Sequence, residues 1–483
     1  MLTQLKNTWF FNVRGDLLAG ITVALALIPE AIAFSIIAGV DPMVGLHASF
    51  CIAVIISLVG GRPGMISAAT GAMAVLMVTL VAQHGLEYLY AATILTGIIQ
   101  IIIGLLKLGR FITFVPHSVV IGFVNALAIL IFMTQLVQFK GVTWVTYALV
   151  AATLVIIYGL PRLTKAVPSA LIAIVVITTI TVLFGINVNT VGDMGNIERA
   201  LPLFHVPDVL FNWDTLMIIL PVSLTLAIVG LLESLMTATI LDEETNTKSD
   251  KNKEVRGQGI ANTVTGFFGG MAGCAMIGQS VINVKSGGRG RLSTMTAGVV
   301  LLFLIMVLSD VVRIIPMPAL VGVMIMVSIG TFNWRSILDI KKIPVSDTIV
   351  MATTVAVVVY THDLARGVIV GVIMSALIFG WRMAKLKVEM KVTENGTKHY
   401  LIRGQMFFGT MSHFTELFQP EQDPEHVVID FSASHIWDHS AVTAIAKVNA
   451  KYEALGKKVT LVGLNDESRK LVDRVGLAAA GGH

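Results

Sequence analysis

The sequence predicts an α-helical protein that crosses a membrane many times and ends in a small α/β domain. Of its 483 residues, 55% are hydrophobic and only 13% are charged, whereas an ordinary soluble domain has about 25% charged residues. Apolar runs at residues 17–40 and 294–308 approach the length that crosses a bilayer. After Arg382, charged residues return and apolar runs become short. We therefore assign residues 1–385 to a transmembrane domain and residues 386–483 to a soluble domain.

Apolar runs between polar breaks predict fourteen membrane segments, two of them short. If the N-terminus lies in the cytoplasm, most Lys and Arg residues of the connecting loops fall on the cytoplasmic side, as the positive-inside rule expects. Both termini are therefore predicted to be cytoplasmic. The predicted segments are residues 17–40, 44–60, 69–84, 89–107, 111–137, 142–160, 168–186, 214–240, 255–270, 274–285, 292–309, 314–330, 345–361 and 366–385.

Two of these segments are short, rich in small residues, and occupy matching places in the two halves of the membrane region. Residues 60–71 read GGRPGMISAATG, and residues 269–280 read GGMAGCAMIGQS. Each begins with a Gly-Gly pair and continues through an irregular stretch into a short helix with hydroxyl groups near its start. Paired, interrupted segments predict a substrate site between inverted repeats near the bilayer midplane. The alternative interpretation is a close helix crossing permitted by small residues.

Two glutamates are predicted to lie deep in the membrane. Glu30 is about 21 Å along the first span if that span is helical, and the adjacent Pro29 suggests a local helix break. Glu233 lies in the eighth span, and Thr237 is one turn further along the same face. Carboxylates at such depth are costly, which makes all three oxygen-bearing residues candidates for binding H⁺ or Na⁺. The alternative is that each glutamate only hydrogen-bonds a neighbouring helix.

Neither interrupted segment places a Lys or Arg residue at mid-depth. An anion would therefore be held by backbone N–H groups at helix N-termini and by hydroxyl groups. The candidate substrate-binding residues are Thr70, Gln279 and Ser280. Such a weak positive field favours a small anion of low charge, and a coupled cation would help to neutralise the site.

Other features predict what the protein is not. The net charge is only +4, and the basic residues are scattered, so we expect no nucleic-acid partner. Cys51 and Cys274 are too few for a disulfide framework and are interpreted as small core residues. Residues 242–256 are rich in both acidic and basic residues and are predicted to form a solvated loop. No nucleophile motif, metal cluster or nucleotide loop suggests an enzyme, so we expect no catalytic residue and no cofactor apart from Na⁺ as a candidate coupling ion.

The soluble region alternates short strands with helices. Asn395-Gly396 lies between two predicted strands and predicts a hairpin turn. The predicted strands are residues 387–392, 399–405, 426–431 and 458–464, and the predicted helices are residues 410–418, 440–455 and 467–475.

Four motifs of the membrane region carry a family resemblance. They are IPEAIAF at residues 28–34, ISAATG at 66–71, GQGIAN at 257–262 and SGGR at 286–289. In these motifs the sequence resembles the SulP family of anion transporters, the bacterial relatives of animal carriers that include prestin and pendrin. The resemblance implies a seven-plus-seven inverted repeat with core and gate domains, an elevator-like movement of the core, and a homodimer. It also implies that the soluble region is a STAS domain.

The resemblance also implies roles for individual residues. It places Glu233 and Thr237 in a Na⁺ site of related bacterial carriers, and it links a first-span glutamate such as Glu30 to proton coupling. Because this chain has both carboxylates, the coupling ion stays open. Animal relatives carry a basic residue where this chain has Gln279. This departure argues against simple chloride exchange and for cation-coupled uptake.

In the soluble region, residues 427–432 and 436–441 resemble a strand and a helix start of STAS domains. Ser440 lies where some relatives are phosphorylated, which makes it a candidate regulatory residue and the domain a candidate docking site for a cytoplasmic regulator. We interpret Ser440 as an ordinary helix N-cap.

The leading hypothesis is H⁺- or Na⁺-coupled uptake of bicarbonate or sulfate across the lipid bilayer of the plasma membrane, which is the inner membrane of a bacterium. A dicarboxylate symporter is one alternative. An uncoupled anion channel or a voltage-responsive membrane protein is another, and a signalling protein whose membrane region serves the STAS domain is a third. The sequence leaves the anion, the coupling ion, and the choice between symport and exchange open.

Overall fold

A computed structural model describes residues 8–108, 115–163, 168–195, 200–210, 212–362 and 364–476. The chain forms two compact units, Met1–Gly371 and Val372–His483. The first unit consists mainly of apolar helices, and the second consists of a four-stranded sheet with helices.

Each of the fourteen predicted membrane segments corresponds to a helix within the described residues. The first residues of the predicted fifth segment, 111–114, lie outside those residues. The helices are α1 Val13–Ala38, α2 Pro42–Val59, α3 Gly71–His84, α4 Leu86–Leu105, α5 His117–Leu136, α6 Trp144–Gly159, α7 Ser169–Leu183, α8 Trp213–Thr245, α9 Lys251–Phe267, α10 Ile277–Lys285, α11 Arg291–Arg313, α12 Met317–Thr331, α13 Val345–Thr361 and α14 Leu364–Met383.

The lengths of these helices fit a bilayer. Nine helices in the described part of the chain are long and apolar enough to cross a membrane, and α3, α7 and α13 are shorter apolar helices. The protein is therefore a multi-pass membrane protein. The remaining two, α9 and α10, are shorter and carry more polar residues.

The helix packing repeats between the two halves of the membrane region. α1 packs on α11, and the equivalent helix α8 packs on α4; α2 packs on α11, and α9 packs on α4. In the same way, α5 packs on α13 and α12 packs on α6. If each helix of the first half is exchanged with the helix seven places later, each packed pair becomes another packed pair. This symmetry confirms two repeats of seven helices. Because seven is odd, the second repeat starts from the opposite membrane face and is inverted.

The contacts also separate two groups of helices. α1–α4 and α8–α11 pack mainly on one another and form the core, whereas α5–α7, α12 and α13 form the gate, and the start of α14 packs on α5 and α13. The core contains both interrupted segments. Those segments form two short strands, β1 Ser67–Ala69 and β2 Gly273–Ala275, which pair antiparallel with Ala68 opposite Cys274. The irregular stretches predicted from the sequence thus meet one another across the two repeats.

The first helix corrects one expectation. α1 is continuous from Val13 to Ala38 although it contains Pro29, so the predicted local break is absent. A proline removes its own N–H donor and crowds the carbonyl group four residues earlier, but neighbouring helices allow a membrane helix to continue through it. α1 ends instead at Gly39, whose φ of 77° gives the left-handed conformation that glycine adopts readily.

The second unit contains the predicted strands and helices of the soluble domain. β3 and β4 form the predicted hairpin through Gly396, which has φ 77°, and β5 is longer than predicted. The sheet order is β3-β4-β5-β6, with β4, β5 and β6 parallel. The elements are β3 Lys387–Val392, β4 Lys398–Met406, α15 Met411–Glu416, β5 His426–Ile436, α16 His439–Ala454, β6 Lys458–Val462 and α17 Asp466–Val475.

A buried carboxylate stabilises this domain. Asp423 is 4% exposed and accepts hydrogen bonds from Lys398 Nζ at 2.6 Å, from the Tyr400 hydroxyl at 2.6 Å and from the Tyr452 hydroxyl. Burial alone would raise the pKa of the Asp423 carboxyl, but these hydrogen bonds outweigh burial and hold the pKa below its ordinary value. The network ties β4 to α16 through the loop that precedes β5.

Candidate functional site

The two short strands lie between the N-termini of two helices. Thr70 follows β1 and is the N-cap of α3, and Met276 follows β2 and is the N-cap of α10. Because the strands are antiparallel, the two helices start at opposite ends of the strand pair and run away from it. Both positive helix ends therefore face the same short stretch of backbone, an arrangement that suits an anion.

Side chains from neighbouring helices accept hydrogen bonds at the end of the strand pair where Ala69 lies opposite Gly273. Ser49 of α2 accepts a hydrogen bond from Ala69 N at 3.3 Å, and Asn262 of α9 accepts one from Gly273 N at 2.9 Å. Because α2 and α9 are equivalent helices of the two repeats, each repeat supplies one bond to this end. Sequence reasoning missed both residues, since neither is unusual in its own helix.

Two serines accept hydrogen bonds at the other end of the strand pair, at Ala275 and Ile66. Ser234 of α8 accepts a hydrogen bond from Ala275 N at 3.1 Å, and Ser280 of α10 accepts one from Ile66 N at 3.0 Å. Ser280 is completely buried and also donates to the Ile66 carbonyl oxygen at 3.3 Å. Of the three predicted substrate-binding residues, Ser280 is thus the one whose hydroxyl is engaged by the backbone of the strand region.

Glu30 and Gln279 lie in direct contact. Gln279 Nε2 donates to both carboxylate oxygens of Glu30, with a distance of 2.5 Å to Oε1. Each side chain is 7% exposed. The contact brings a candidate coupling carboxylate of α1 beside a candidate substrate residue in the first turn of α10.

Glu233 and Thr70 are connected through a thiol. Cys274 Sγ donates to Glu233 Oε2 at 2.9 Å and lies 3.2 Å from Thr70 Oγ1. Cys274 is completely buried, as predicted, but its sulfur also bridges two candidate site residues, which its interpretation as a small core residue did not include. Its position inside an interrupted segment was the signal that could have suggested this role.

Thr237 is one turn beyond Glu233 on α8. Its hydroxyl donates to the Glu233 carbonyl oxygen at 2.7 Å, and the side chain is completely buried. The hydroxyl oxygen keeps lone pairs, so together with the half-buried Glu233 carboxylate it offers the hard oxygen ligands that suit Na⁺. Among the residues that the structure describes, no group of three His, Cys, Asp or Glu residues is arranged to hold a metal ion.

Residues 242–256 form the predicted solvated loop only in part. They comprise the end of α8, a mostly exposed connection at residues 246–250 and the start of α9. Asp242 Oδ1 lies 3.3 Å from Arg62 Nε, and the completely buried Glu254 accepts hydrogen bonds from Gly61 N at 2.7 Å and Arg62 N at 3.0 Å. Paired charges and backbone donors make burial of these groups tolerable. The cluster therefore fixes the loop that leads into β1.

Two cavities lie between the core and the gate at opposite ends of α5. One, of about 290 Å³, is lined by Ala33 of α1, Gln135 of α5 and Met324 of α12. The other, of about 420 Å³, is lined by His117 at the start of α5 and by Met236 of α8. Because α5 is long enough to cross a bilayer, the two cavities lie nearer to opposite membrane faces.

Sequence comparison identifies the family. The profile of the Sulfate permease family matches residues 13–152 and 138–354, and the profile of the STAS domain matches residues 388–480. The chain belongs to the sulfate permease (SulP) family.

Several relatives of this SulP protein resemble it over most of their length. "Putative sulfate transporter YbaR" of Bacillus subtilis is 61% identical over 98% of both chains. The solved transmembrane domain of the cyanobacterial bicarbonate transporter BicA is 29% identical, with a TM-score of 0.69, over 75% of this chain and 98% of that one. The murine Solute Carrier 26 family member A9 anion transporter, solved in its inward-facing state, shares the fold at 18% identity, with a TM-score of 0.82 over 97% and 88% of the two chains.

The STAS domain of this SulP protein corrects the interpretation of Ser440. The N-cap of α16 is Asp438, whose carboxylate accepts hydrogen bonds from Ala441 N at 2.9 Å and Phe408 N at 2.8 Å. Ser440 is half-buried within the first turn of the helix. Asp is as good an N-cap as Ser. Asp438 lies directly before the first residue of α16 and has the extended backbone that a cap requires.

Proposed function

We propose that this SulP protein is a secondary active transporter that takes up sulfate or bicarbonate together with Na⁺ or H⁺. The observation that carries the proposal is the strand pair that the N-termini of α3 and α10 face. Glu30 contacts Gln279 in the first turn of α10, and Glu233 is linked through Cys274 to Thr70 at the start of α3. Anion-binding backbone and cation-binding carboxylates thus occupy one site.

The chemistry of the site favours a small anion. Thr70 makes no side-chain capping bond to its own helix, so the N–H groups in the first turn of α3 are left for a ligand at the strand pair. Gln279 supplies a neutral amide where a basic residue would give a full positive charge. Helix N-termini and neutral donors bind oxyanions without a fixed counter-charge, and the names of YbaR and BicA supply sulfate and bicarbonate as the candidates.

The two carboxylates favour coupling to a cation. An anion at the strand pair would be repelled by an ionised Glu30 or Glu233, because like charges interact strongly where water is scarce. A proton on Glu30, or a Na⁺ held by Glu233 and Thr237, removes that repulsion. Cation and anion therefore favour each other's binding, which is the thermodynamic requirement for symport.

The position of the site favours an elevator-like movement. Glu30, Thr70, Glu233 and Gln279 and both strands belong to the core, so a displacement of the core relative to the gate carries the whole site with it. The cavities near His117 and Gln135 provide candidate access routes on the two membrane faces. We further propose a homodimer in the bacterial inner membrane with both termini in the cytoplasm, where a regulator could bind the STAS domain.

The test is transport by purified full-length protein in proteoliposomes. Accumulation of radiolabelled sulfate and bicarbonate is measured under imposed Na⁺ or H⁺ gradients for the wild type, Glu30→Gln and Glu233→Gln. Glu244→Gln is the matched control, because Glu244 is an exposed carboxylate on the same helix as Glu233. We expect one gradient to drive accumulation of one anion, and one of the two site variants to abolish that dependence.

Other results would support other functions. Accumulation of fumarate but of neither inorganic anion would indicate a dicarboxylate symporter. Anion flux that no cation gradient drives, and that neither site variant alters, would contradict coupling and indicate a channel. No transport of any of these anions by a correctly folded protein would contradict the proposal and favour a signalling role.

A further inference from the structure

We propose that Cys274 is a positioning residue that links the coupling cation to the anion through a hydrogen-bond relay from Glu233 through Cys274 to Thr70. The proposal rests on the proposed function, with Na⁺ held by Glu233 and Thr237 and the anion at the N-terminus of α3. It gives the thiol a role in coupling that is separate from its packing in the core.

The geometry places the sulfur between the two binding elements. Cys274 Sγ donates to Glu233 Oε2 at 2.9 Å, and it lies 3.2 Å from Thr70 Oγ1, where either atom can be the donor. Cys274 is completely buried and Thr70 is 2% exposed, so water does not compete for the bond between them. A change at the Glu233 carboxylate therefore reaches Thr70 through a single atom.

The relay depends on the number of protons available. A thiol and a hydroxyl each have one proton to donate. While the carboxylate of Glu233 is unoccupied, it is the strongest acceptor near Cys274 and receives the thiol proton. The hydroxyl of Thr70 can then donate to the sulfur, and a hydroxyl proton given to sulfur is not available to an anion.

Binding of Na⁺ reverses the direction of these bonds. Na⁺ neutralises the carboxylate of Glu233 and occupies its lone pairs, so the carboxylate becomes a weaker acceptor of the thiol proton. The thiol then donates to Thr70 Oγ1, and the Thr70 proton turns to the anion. No proton is transferred and no covalent bond changes. Na⁺ thereby raises the affinity for the anion, and by linkage the anion raises the affinity for Na⁺ by the same factor.

The surroundings of Cys274 allow this reversal without backbone movement. Gly273 N is bonded to Asn262 at 2.9 Å and Ala275 N is bonded to Ser234 at 3.1 Å, so the backbone is fixed on both sides of the cysteine. Only the S–H and O–H bonds have to rotate. Sulfur is a weak donor and a weak acceptor, so exchanging one partner for the other costs little.

Three variants separate the relay from packing. Cys274→Ala removes both hydrogen bonds, Cys274→Ser keeps one donor and its acceptor capacity, and Cys51→Ala removes the other cysteine, which is buried in α2. In the wild type we expect saturating anion to raise Na⁺ affinity by about fivefold or more. We expect Cys274→Ser and Cys51→Ala to retain that shift and Cys274→Ala to reduce it to less than about twofold.

The measurement is a calorimetric titration of purified full-length protein in nanodiscs with NaCl, with and without saturating sulfate, and again with bicarbonate. A purely structural defect in Cys274→Ala would lower its melting temperature and weaken both ligands. Loss of the relay instead leaves Na⁺ binding alone intact and removes only the mutual effect of Na⁺ and the anion.

Infrared spectroscopy tests the thiol directly. In a Cys51→Ala background the protein has one S–H group, whose stretching frequency depends on its acceptor. We expect the band to shift when NaCl is added, because the acceptor changes from a carboxylate to a hydroxyl. A band that does not move on addition of Na⁺ would overturn the relay.

The outcomes distinguish the relay from the proposed function. If the wild type shows no mutual effect of Na⁺ with sulfate or with bicarbonate, Na⁺ coupling is wrong and the relay with it. If the wild type shows the effect and Cys274→Ala keeps it in full, Na⁺ coupling stands and the relay alone is wrong. If Cys274→Ser loses the effect as Cys274→Ala does, hydrogen bonding at this position is not what transmits it, and the relay is again wrong.

Discussion

Gln279 of the second repeat donates its amide N–H to both carboxylate oxygens of Glu30 in the first repeat. The bond joins two helices of the core that are far apart in sequence. Because residue 279 is a glutamine, the first turn of α10 has no positively charged side chain beside the proposed anion site. Gln279 and Glu30 therefore set the charge of the site as a pair.

The first prediction concerns that charge. In Gln279→Arg, the guanidinium pairs with Glu30, neutralises it permanently and adds a positive donor at the site. We expect anion exchange in the absence of a cation gradient to rise, and gradient-driven accumulation in proteoliposomes to fall by about tenfold, which is about 1.4 kcal/mol. Gln279→Asn, which keeps an amide, is the control. Unchanged dependence on the gradient in Gln279→Arg would contradict this role.

The second prediction concerns the oxygen ligands of α8. Thr237→Val keeps the shape of the side chain and removes its hydroxyl oxygen. We expect the Na⁺ concentration that half-saturates uptake to rise by about tenfold, since one hard ligand is lost, while Thr237→Ser stays close to the wild type. Equal Na⁺ dependence in Thr237→Val and the wild type would exclude Thr237 from a Na⁺ site.

The third prediction concerns the buried charge cluster at the start of α9. Glu254→Leu leaves the N–H groups of Gly61 and Arg62 without their acceptor and leaves the Arg62 charge partly uncompensated. We expect a loss of about 3–5 kcal/mol in stability, measured as a lower melting temperature in detergent. Glu254→Gln keeps an acceptor oxygen and should lose less. A melting temperature of Glu254→Leu equal to that of the wild type would show that the cluster does not stabilise the loop.

The fourth prediction concerns pH and the STAS domain. The folded-state pKa of Asp423 lies below the unfolded value of about 3.9. The stabilisation from this carboxylate is therefore complete above the unfolded pKa and is lost as the pH falls through the folded-state pKa. Asp423→Asn should cost about 1.5–3 kcal/mol at neutral pH, because the hydrogen bonds lose their charge.

Hydrogen–deuterium exchange of residues 398–406 in the full-length protein measures this effect. We expect faster exchange in Asp423→Asn at neutral pH and no change in Asp473→Asn, whose side chain is exposed. The difference between Asp423→Asn and the wild type should shrink as the pH is lowered. A difference that persists unchanged at low pH would mean that packing, not charge, accounts for it.

The fifth prediction separates Asp438 from Ser440. Asp438→Ala removes the N-cap of α16 and the acceptor of Phe408 N, and should destabilise the STAS domain by about 1 kcal/mol. Ser440→Ala should leave the stability of the domain unchanged. Hydrogen exchange in the first turn of α16 reports both effects. Equal exchange in the two variants would contradict the assignment of Asp438 as the cap.

The sequence by itself determined the membrane segments, the two repeats and the division into a transmembrane region and a STAS domain. These features follow from local properties: the length of apolar runs, the spacing of small residues and the alternation of short strands and helices. It also selected Glu30, Thr70, Glu233 and Gln279, because a carboxylate deep in a bilayer, or a polar residue in an interrupted segment, is conspicuous in its own helix.

The tertiary structure alone decided which of these residues contact one another. The bonds from Gln279 to Glu30, from Cys274 to Glu233 and from the loop before β1 to Glu254 join positions far apart in the chain. No local pattern specifies such pairs. The continuity of α1 through Pro29 and the burial of Glu254 were likewise decided by packing. Hydropathy and charge density are sums over neighbours in sequence, whereas the cost of burying a polar group depends on its partners in space.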